Sequence, residues 1–188
     1  MQLRGEIHPE HPLLVLALAE EAAYLDGALP VLLTGVGKVN AATAVAATLA
    51  VHQPIAVVNL GTAGGLRPEV TGTSEIGTVT QHDLDDEVLY ALTGYRFAPP
   101  LRLAEQGPTL ATGDAFVSDP DSRQRLAATA ELVDMEGYAV AMAARHHQLP
   151  VRLVKHVSDS ADDTAARSWR DSVDECARAL ARWVETHL

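Results

Sequence analysis

The chain has 188 residues, 47% of them hydrophobic, and a net charge of −11 from 14 Lys+Arg against 25 Asp+Glu. A chain of this length buries roughly 70% of its unfolded surface on folding, which suits one core and one domain over residues 1–188 and excludes wholesale disorder. The acidic balance, with no Lys/Arg cluster, argues against nucleic acid and anionic membranes as partners and leaves a small molecule or another protein.

Apolar runs alternate with Ala-rich helical stretches. Residues 13–17 read as a buried strand and 18–25 as a short helix after it. Residues 31–33 form a second strand, closed by the turn Thr34-Gly35-Val36-Gly37. A helix over 38–52 follows, with Val39, Ala42, Ala46 and Leu49 on one face. Residues 55–60 are apolar throughout, as in a strand buried on both faces of a parallel sheet, and end in the Gly-rich turn 61–65.

Residues 76–80 read as β-structure, and 81–107 as loops with short strands and no helix. A strand at 109–112 precedes helices at 121–131 and 135–147. The β-branched run 151–157 is a strand, and 169–188 an amphipathic helix with Trp169, Val173, Ala177, Leu180 and Val184 on one face. This alternation implies an α/β fold: a single domain with a central mixed, mostly parallel twisted sheet flanked by helices.

The first ten residues carry charges and lack an apolar core, so no signal peptide is expected, and no apolar run is long enough to span a bilayer. One cysteine, Cys176, excludes an intrachain disulfide. A soluble, cytoplasmic protein is expected. Several motifs fail on inspection. Gly35-Val36-Gly37-Lys38-Val39-Asn40 lacks the third glycine of a dinucleotide fingerprint, and Lys38 is not followed by the Ser/Thr of a phosphate loop. His82, Asp83, Asp85 and Asp86 lack a fixed cation-loop pattern and read as a solvated acidic loop. No metal and no cofactor are expected.

Five polar segments remain, each ending an apolar strand or opening a helix, where parallel α/β sheets bind ligands. They are Thr34-Gly35-Val36-Gly37-Lys38-Val39-Asn40, Asn59-Leu60-Gly61-Thr62-Ala63-Gly64-Gly65-Leu66, Thr112-Gly113-Asp114-Ala115-Phe116-Val117, Val133-Asp134-Met135-Glu136-Gly137-Tyr138 and Val157-Ser158-Asp159-Ser160-Ala161-Asp162. In this order, and over residues 13–185, the chain resembles the purine nucleoside phosphorylase/nucleosidase superfamily, most nearly the methylthioadenosine/S-adenosylhomocysteine nucleosidases.

The resemblance implies a nucleoside phosphorylase-like fold and cleavage of an N-glycosidic bond through an oxocarbenium-like sugar. It makes Asp159, oriented by Ser158, the acid that protonates or hydrogen-bonds the purine N7; an apolar pocket suits such an acid. It makes Glu136 the acceptor for the ribose 2′- and 3′-hydroxyls, with Met135 packed under the sugar. Phe116 stacks on the base, and the Val117 backbone pairs with its edge. Thr62, Ala63 and Gly64 surround the sugar and the nucleophilic water. Ala19-Glu20-Glu21-Ala22 resembles the family's water-positioning segment, and counting from Ala17 gives Glu21 the role, with Glu20 its neighbour.

The implied substrate is a purine nucleoside, adenine more than hypoxanthine, with a 5′ modification such as that of methylthioadenosine or S-adenosylhomocysteine. Water is favoured over phosphate as nucleophile, because the phosphorylases' N-terminal Gly-Asp-Pro-x-Arg motif is missing; Arg67 is the one candidate to support a phosphate. A phosphorylase and a non-catalytic purine-nucleoside-binding protein stay open as alternatives. A homodimer is expected. Asp134 stands where the family commonly has Glu, and Lys155 where it has Arg, departures assigned to the 5′ pocket and subunit interface.

Overall fold

The computed structural model describes residues 1–188, and the central strands Leu13–Leu16, Val31–Leu33 and the first half of Val57–Gly65 fall on apolar runs of the chain. In order the elements are β1 (Gln2–Arg4), β2 (Leu13–Leu16), β3 (Val31–Leu33), α1 (Lys38–Leu49), β4 (Val57–Gly65), β5 (Thr73–Glu75), β6 (Thr78–Gln81) and α2 (Asp86–Thr93). Then come β7 (Leu101–Arg102), β8 (Thr109–Thr112), α3 (Pro120–Ala127), β9 (Leu132–Asp134), α4 (Gly137–His146), β10 (Val151–Asp159) and α5 (Ala165–His187).

All ten strands join one mixed sheet with the path β1-β3-β2-β4-β9-β8-β6-β7, and β10 pairs with β4 and β5. The nine-residue strand β4 organises it. Its first half lies parallel to β2, its whole length parallel to β10, and its last two residues antiparallel to β9. Since β8 and β6 run parallel to each other and β8 to β9, β4 joins two parallel sets of opposite direction. The carboxyl ends of both sets therefore point at the same space, around residues 62–64.

Helices cover both faces. Ala41, Ala44 and Val45 of α1 meet Ala139, Val140, Ala143 and Ala144 of α4 over Leu13, Val15, Leu32 and Val57; small side chains let these two helices approach closely. On the other face Leu180 of α5 packs with Leu14, Leu16, Val58, Leu60 and Val154. No helix is long and apolar enough to cross a membrane.

Four expectations are corrected. Residues 18–25 are not helical but a run of turns, with i→i−3 bonds from Ala22, Ala23 and Leu25, and the buried Glu21 side chain takes up the Leu18 and Thr62 amides. Residues 61–65 are strand rather than turn: pairing with β10 supplies backbone partners that override the weak strand preference of glycine. The 81–107 stretch does contain a helix, α2, capped by the Asp85 side chain on the Val88 amide and closed by Gly94 at φ 74°. And α1 buries Ala41, Ala44, Val45, Thr48 and Leu49, leaving Val39 exposed.

Only Ile76 and Gly77 separate β5 from β6, so the two arms of the sheet meet again at this point. Ile76 is fully buried among Leu110, Leu132 and Leu153. A Cβ on Gly77 would lie 2.7 Å from the Gly107 carbonyl oxygen and 2.9 Å from that of Gln106, both rigid backbone. Gly77→Ala is expected to destabilise by about 1–3 kcal/mol, the usual range for overpacking, and to lower Tm by several degrees. A thermal melt at the wild-type Tm would contradict this.

Candidate active site

Most polar groups of the site sit near the end of a strand or the start of a helix. Beyond β2 the turn segment 18–25 carries Glu21, 5% exposed despite its charge. Its Oε1 accepts from the Thr62 amide at 2.8 Å and the Thr62 hydroxyl at 2.9 Å, and its Oε2 from the Leu18 amide at 3.2 Å. Glu20 is exposed, so only Glu21 faces inward.

At the end of β9, Asp134 accepts from the Thr112 hydroxyl at 2.6 Å and the Gly137 amide at 2.8 Å. Its Oδ2 lies 2.9 Å from Nζ of Lys155 on β10. The two sequence departures are thus each other's partners in a buried ion pair at the back of the site, not part of a surface interface. Glu136, at the N-cap of α4, accepts from the Gly37 amide at 2.8 Å. Burial and then the Asp134 charge push the Glu136 carboxyl up to about 7, while Lys155 and the Gly37 amide pull the other way. Burial works against the charge on Lys155, but the surrounding carboxylates, Asp134 first, then Glu136 and Glu21, hold its ammonium above the ordinary lysine value.

At the end of β10 the Ser158 hydroxyl donates to Asp159 Oδ2 at 2.8 Å, and the Ala161 amide donates to Oδ1 at 2.8 Å. Ala161 is held at φ 50°, a left-handed conformation costly for alanine, which turns its amide onto the carboxylate.

These groups line one cavity of about 230 Å³. Every residue expected from the sequence lies on its wall: Glu21, Thr62, Ala63 and Gly64, Phe116 and Val117, Met135 and Glu136, and Ser158 with Asp159 at the end of β10. Phe116 is about half exposed, so the cavity is open beside it. Leu18, Val36, Ala115, Val133, Asp134 and Trp169 complete the wall. Trp169 was expected only as part of an apolar helix face; its indole N–H donates to the Thr62 hydroxyl at 3.0 Å, a partner that no local sequence pattern could reveal.

The rim is tied together by Lys38. Its ammonium binds Asp83 and lies 3.8 Å from Asp114, whose carboxylate accepts from the Lys38 amide at 2.7 Å. Asp83 in turn accepts from the Asp114 amide at 2.8 Å. Asp83 of the acidic loop is thus paired with Lys38 rather than free in solvent. Four carboxylates line the cavity, Glu21, Asp134, Glu136 and Asp159, and no lysine or arginine does. Arg67 points elsewhere, bonded to the Ala127 carbonyl and 3.0 Å from Glu131.

A family model described as the phosphorylase superfamily matches residues 21–188. A 5′-methylthioadenosine/S-adenosylhomocysteine nucleosidase of Bacillus cereus (strain B4264) is 30% identical over 172 aligned residues, which cover 77% of this chain and 73% of that protein. The nucleosidase of the same name from Streptococcus pneumoniae, solved with the transition-state inhibitor MT-ImmA, has a TM-score of 0.80 at 25% identity, covering 93% of this chain and 96% of that one. The Helicobacter pylori nucleosidase shares the fold with a TM-score of 0.82 at 20% identity, over 95% of this chain and 97% of its own.

The proton on Glu136 sets a pH dependence. Its folded value of about 7 lies above the ordinary 4.5, so the folded state holds an extra proton between the two. That contribution to stability is full below pH 4.5 and is lost as pH rises towards 7. Glu136→Gln is expected to flatten this decline in Tm. Melts across the window check it, and an equally steep decline in the variant would contradict it.

Proposed function

The chain belongs to the phosphorylase superfamily, and within it we propose that it is a purine nucleosidase, hydrolysing the N-glycosidic bond to release free base and free sugar. The proposed substrate is a 5′-modified adenine nucleoside such as methylthioadenosine or S-adenosylhomocysteine, the compounds for which the B. cereus and S. pneumoniae relatives are named. In this reading the base lies between Phe116 and Asp159, with its edge against the Val117 backbone. Glu136 accepts from the ribose 2′- and 3′-hydroxyls above Met135. Thr62, Ala63 and Gly64 approach the sugar. Glu21 holds a water against C1′.

As the C1′–N bond breaks, its electron pair goes to the purine, and Asp159 supplies the N7 proton or hydrogen bond that makes the purine a competent leaving group. Ser158 and the Ala161 amide fix that carboxyl from the far side. The oxocarbenium charge developing on the sugar is met by the carboxylate wall. The water adds to C1′ and passes its proton to Glu21, whose Oε2 carries only the long bond from Leu18.

The observation that carries water over phosphate is the charge of the cavity: four carboxylates and no cation on its wall. A phosphate set about 4 Å from one carboxylate would face about 4 kcal/mol of repulsion per pair of unit charges at an effective dielectric constant of about 20. Base release is therefore expected to be independent of phosphate and to yield free sugar. Asp159→Asn is expected to lose about 10²–10⁴-fold in turnover, Glu21→Gln to abolish hydrolysis, and Arg67→Ala to leave it largely intact. Chromatography of the base and sugar products checks all three. Phosphate-stimulated turnover with accumulation of sugar 1-phosphate would favour the phosphorylase instead.

A cytoplasmic homodimer is part of the proposal. The free, buried Cys176 is in keeping with a reducing compartment. Exposed apolar side chains at Val36 and Val39 by the cavity, and at Val88, Leu92, Tyr95 and Phe97 on and after α2, supply surface for a two-fold contact. Light scattering at micromolar concentration is expected to give the mass of two chains, and the mass of one would contradict it.

A further inference from the structure

Glu21 lies on a segment with no helix or strand of its own, so its aim depends on anchors from elsewhere in the fold. The anchors come from β4 and α5. Thr62 on β4 presents two donors, amide and hydroxyl, to the same oxygen, Oε1. Trp169, in the second turn of α5, brings its indole N–H to 3.0 Å from the Thr62 hydroxyl oxygen. Further along α5, Asp174 accepts from the Tyr24 hydroxyl at 2.5 Å, and the Arg178 guanidinium lies 3.9 Å above the Tyr24 ring. One helix thus grips the Glu21 segment from inside the cavity and from outside.

The direction of the inner contact is set by chemistry. An indole nitrogen only donates, whereas a hydroxyl has one proton and also accepts. With Trp169 occupying its acceptor side, the Thr62 hydroxyl is oriented to give its proton to Glu21 Oε1. That oxygen then has two donors, and Oε2, with the single longer bond from Leu18, is the one left to take a proton from water.

We infer that Trp169 is a positioning residue for hydrolysis: through the Thr62 hydroxyl, its indole N–H fixes which oxygen of Glu21 receives the water proton. The inference rests on the nucleosidase reading above. It differs from a wall or packing role for Trp169, because the part that matters is a single N–H rather than the ring.

The test is a double-mutant cycle on base release by the full chain, using Trp169→Phe and Thr62→Val. Trp169→Phe keeps an aromatic wall and removes the donor. It is expected to lower kcat about three- to tenfold, the range for one hydrogen bond, with KM within about twofold. In the Thr62→Val background the same substitution is expected to have almost no further effect, since the hydroxyl it acts through is gone. Site-specific replacement of Trp169 by benzothienylalanine, with sulfur in place of N–H in the same ring shape, is expected to reproduce the Phe result even if Phe loosens the helix. An unchanged kcat, a change confined to KM, or losses that multiply in the double variant would overturn the positioning role and leave the hydrolase standing. A wild-type enzyme that releases no base would overturn both.

Discussion

Carboxylates crowded into one cavity repel one another and lose part of their hydration, and the arrangement is tolerable only with a countercharge close behind them. Lys155 is that countercharge. It is 1% exposed, bonded to Asp134, and within electrostatic reach of Glu136 and Glu21. Its strand, β10, lies against β4, and Gly61 on β4 leaves room beside both groups: a Cβ there would stand 3.3 Å from both Glu21 Oε1 and Lys155 Nζ. A buried pair of this kind adds little net stability compared with well-packed apolar residues. What it permits is negative charge around a space where a cation develops. The pairing of β10 with β4 and the glycine on β4 bring that charge and its countercharge together.

The site divides its work between fixed and tunable groups. Asp134 has its two oxygens committed to Thr112, Gly137 and Lys155, and so acts as scaffold. Asp159 is held from behind by Ser158 and Ala161, leaving its cavity side for the ligand. Glu136 has only the Gly37 amide as a hydrogen-bond donor and sits beside another carboxylate, so its charge responds to pH and to whatever hydroxyls enter. The carboxylate with the fewest protein donors is the one proposed to take up the polar load of a sugar.

The residues of the site were legible in the sequence because they fall in short segments whose order matches a known family, and all of those named lie on one cavity wall. What surrounds them was harder to read. Glu21 was picked out although its segment was expected to be a helix; an acidic pair after a strand looks the same whether it opens a helix or fills a turn. Helix α2 buries no residue, so it shows no apolar stripe, and its cap at Asp85 and its stop at Gly94 were the only local signs. The glycines of β4 looked like a turn because pairing with β10, some ninety residues away, is not a local property. Separation in sequence, 21 residues for the Lys155–Asp134 pair and 107 for the bond from Trp169 to Thr62, hid those contacts too, the first visible only as two separate oddities.

The two lysine-centred networks differ in what surrounds them. Lys155 and Asp134 are almost wholly shielded, with side-chain exposures of 2% and 1%, while Lys38, Asp83 and Asp114 stand at 17%, 27% and 50%. Mobile ions reach the second set and not the first, and at physiological ionic strength screening already acts over about 8 Å. Added salt therefore weakens the Lys38 network more than the Lys155–Asp134 pair.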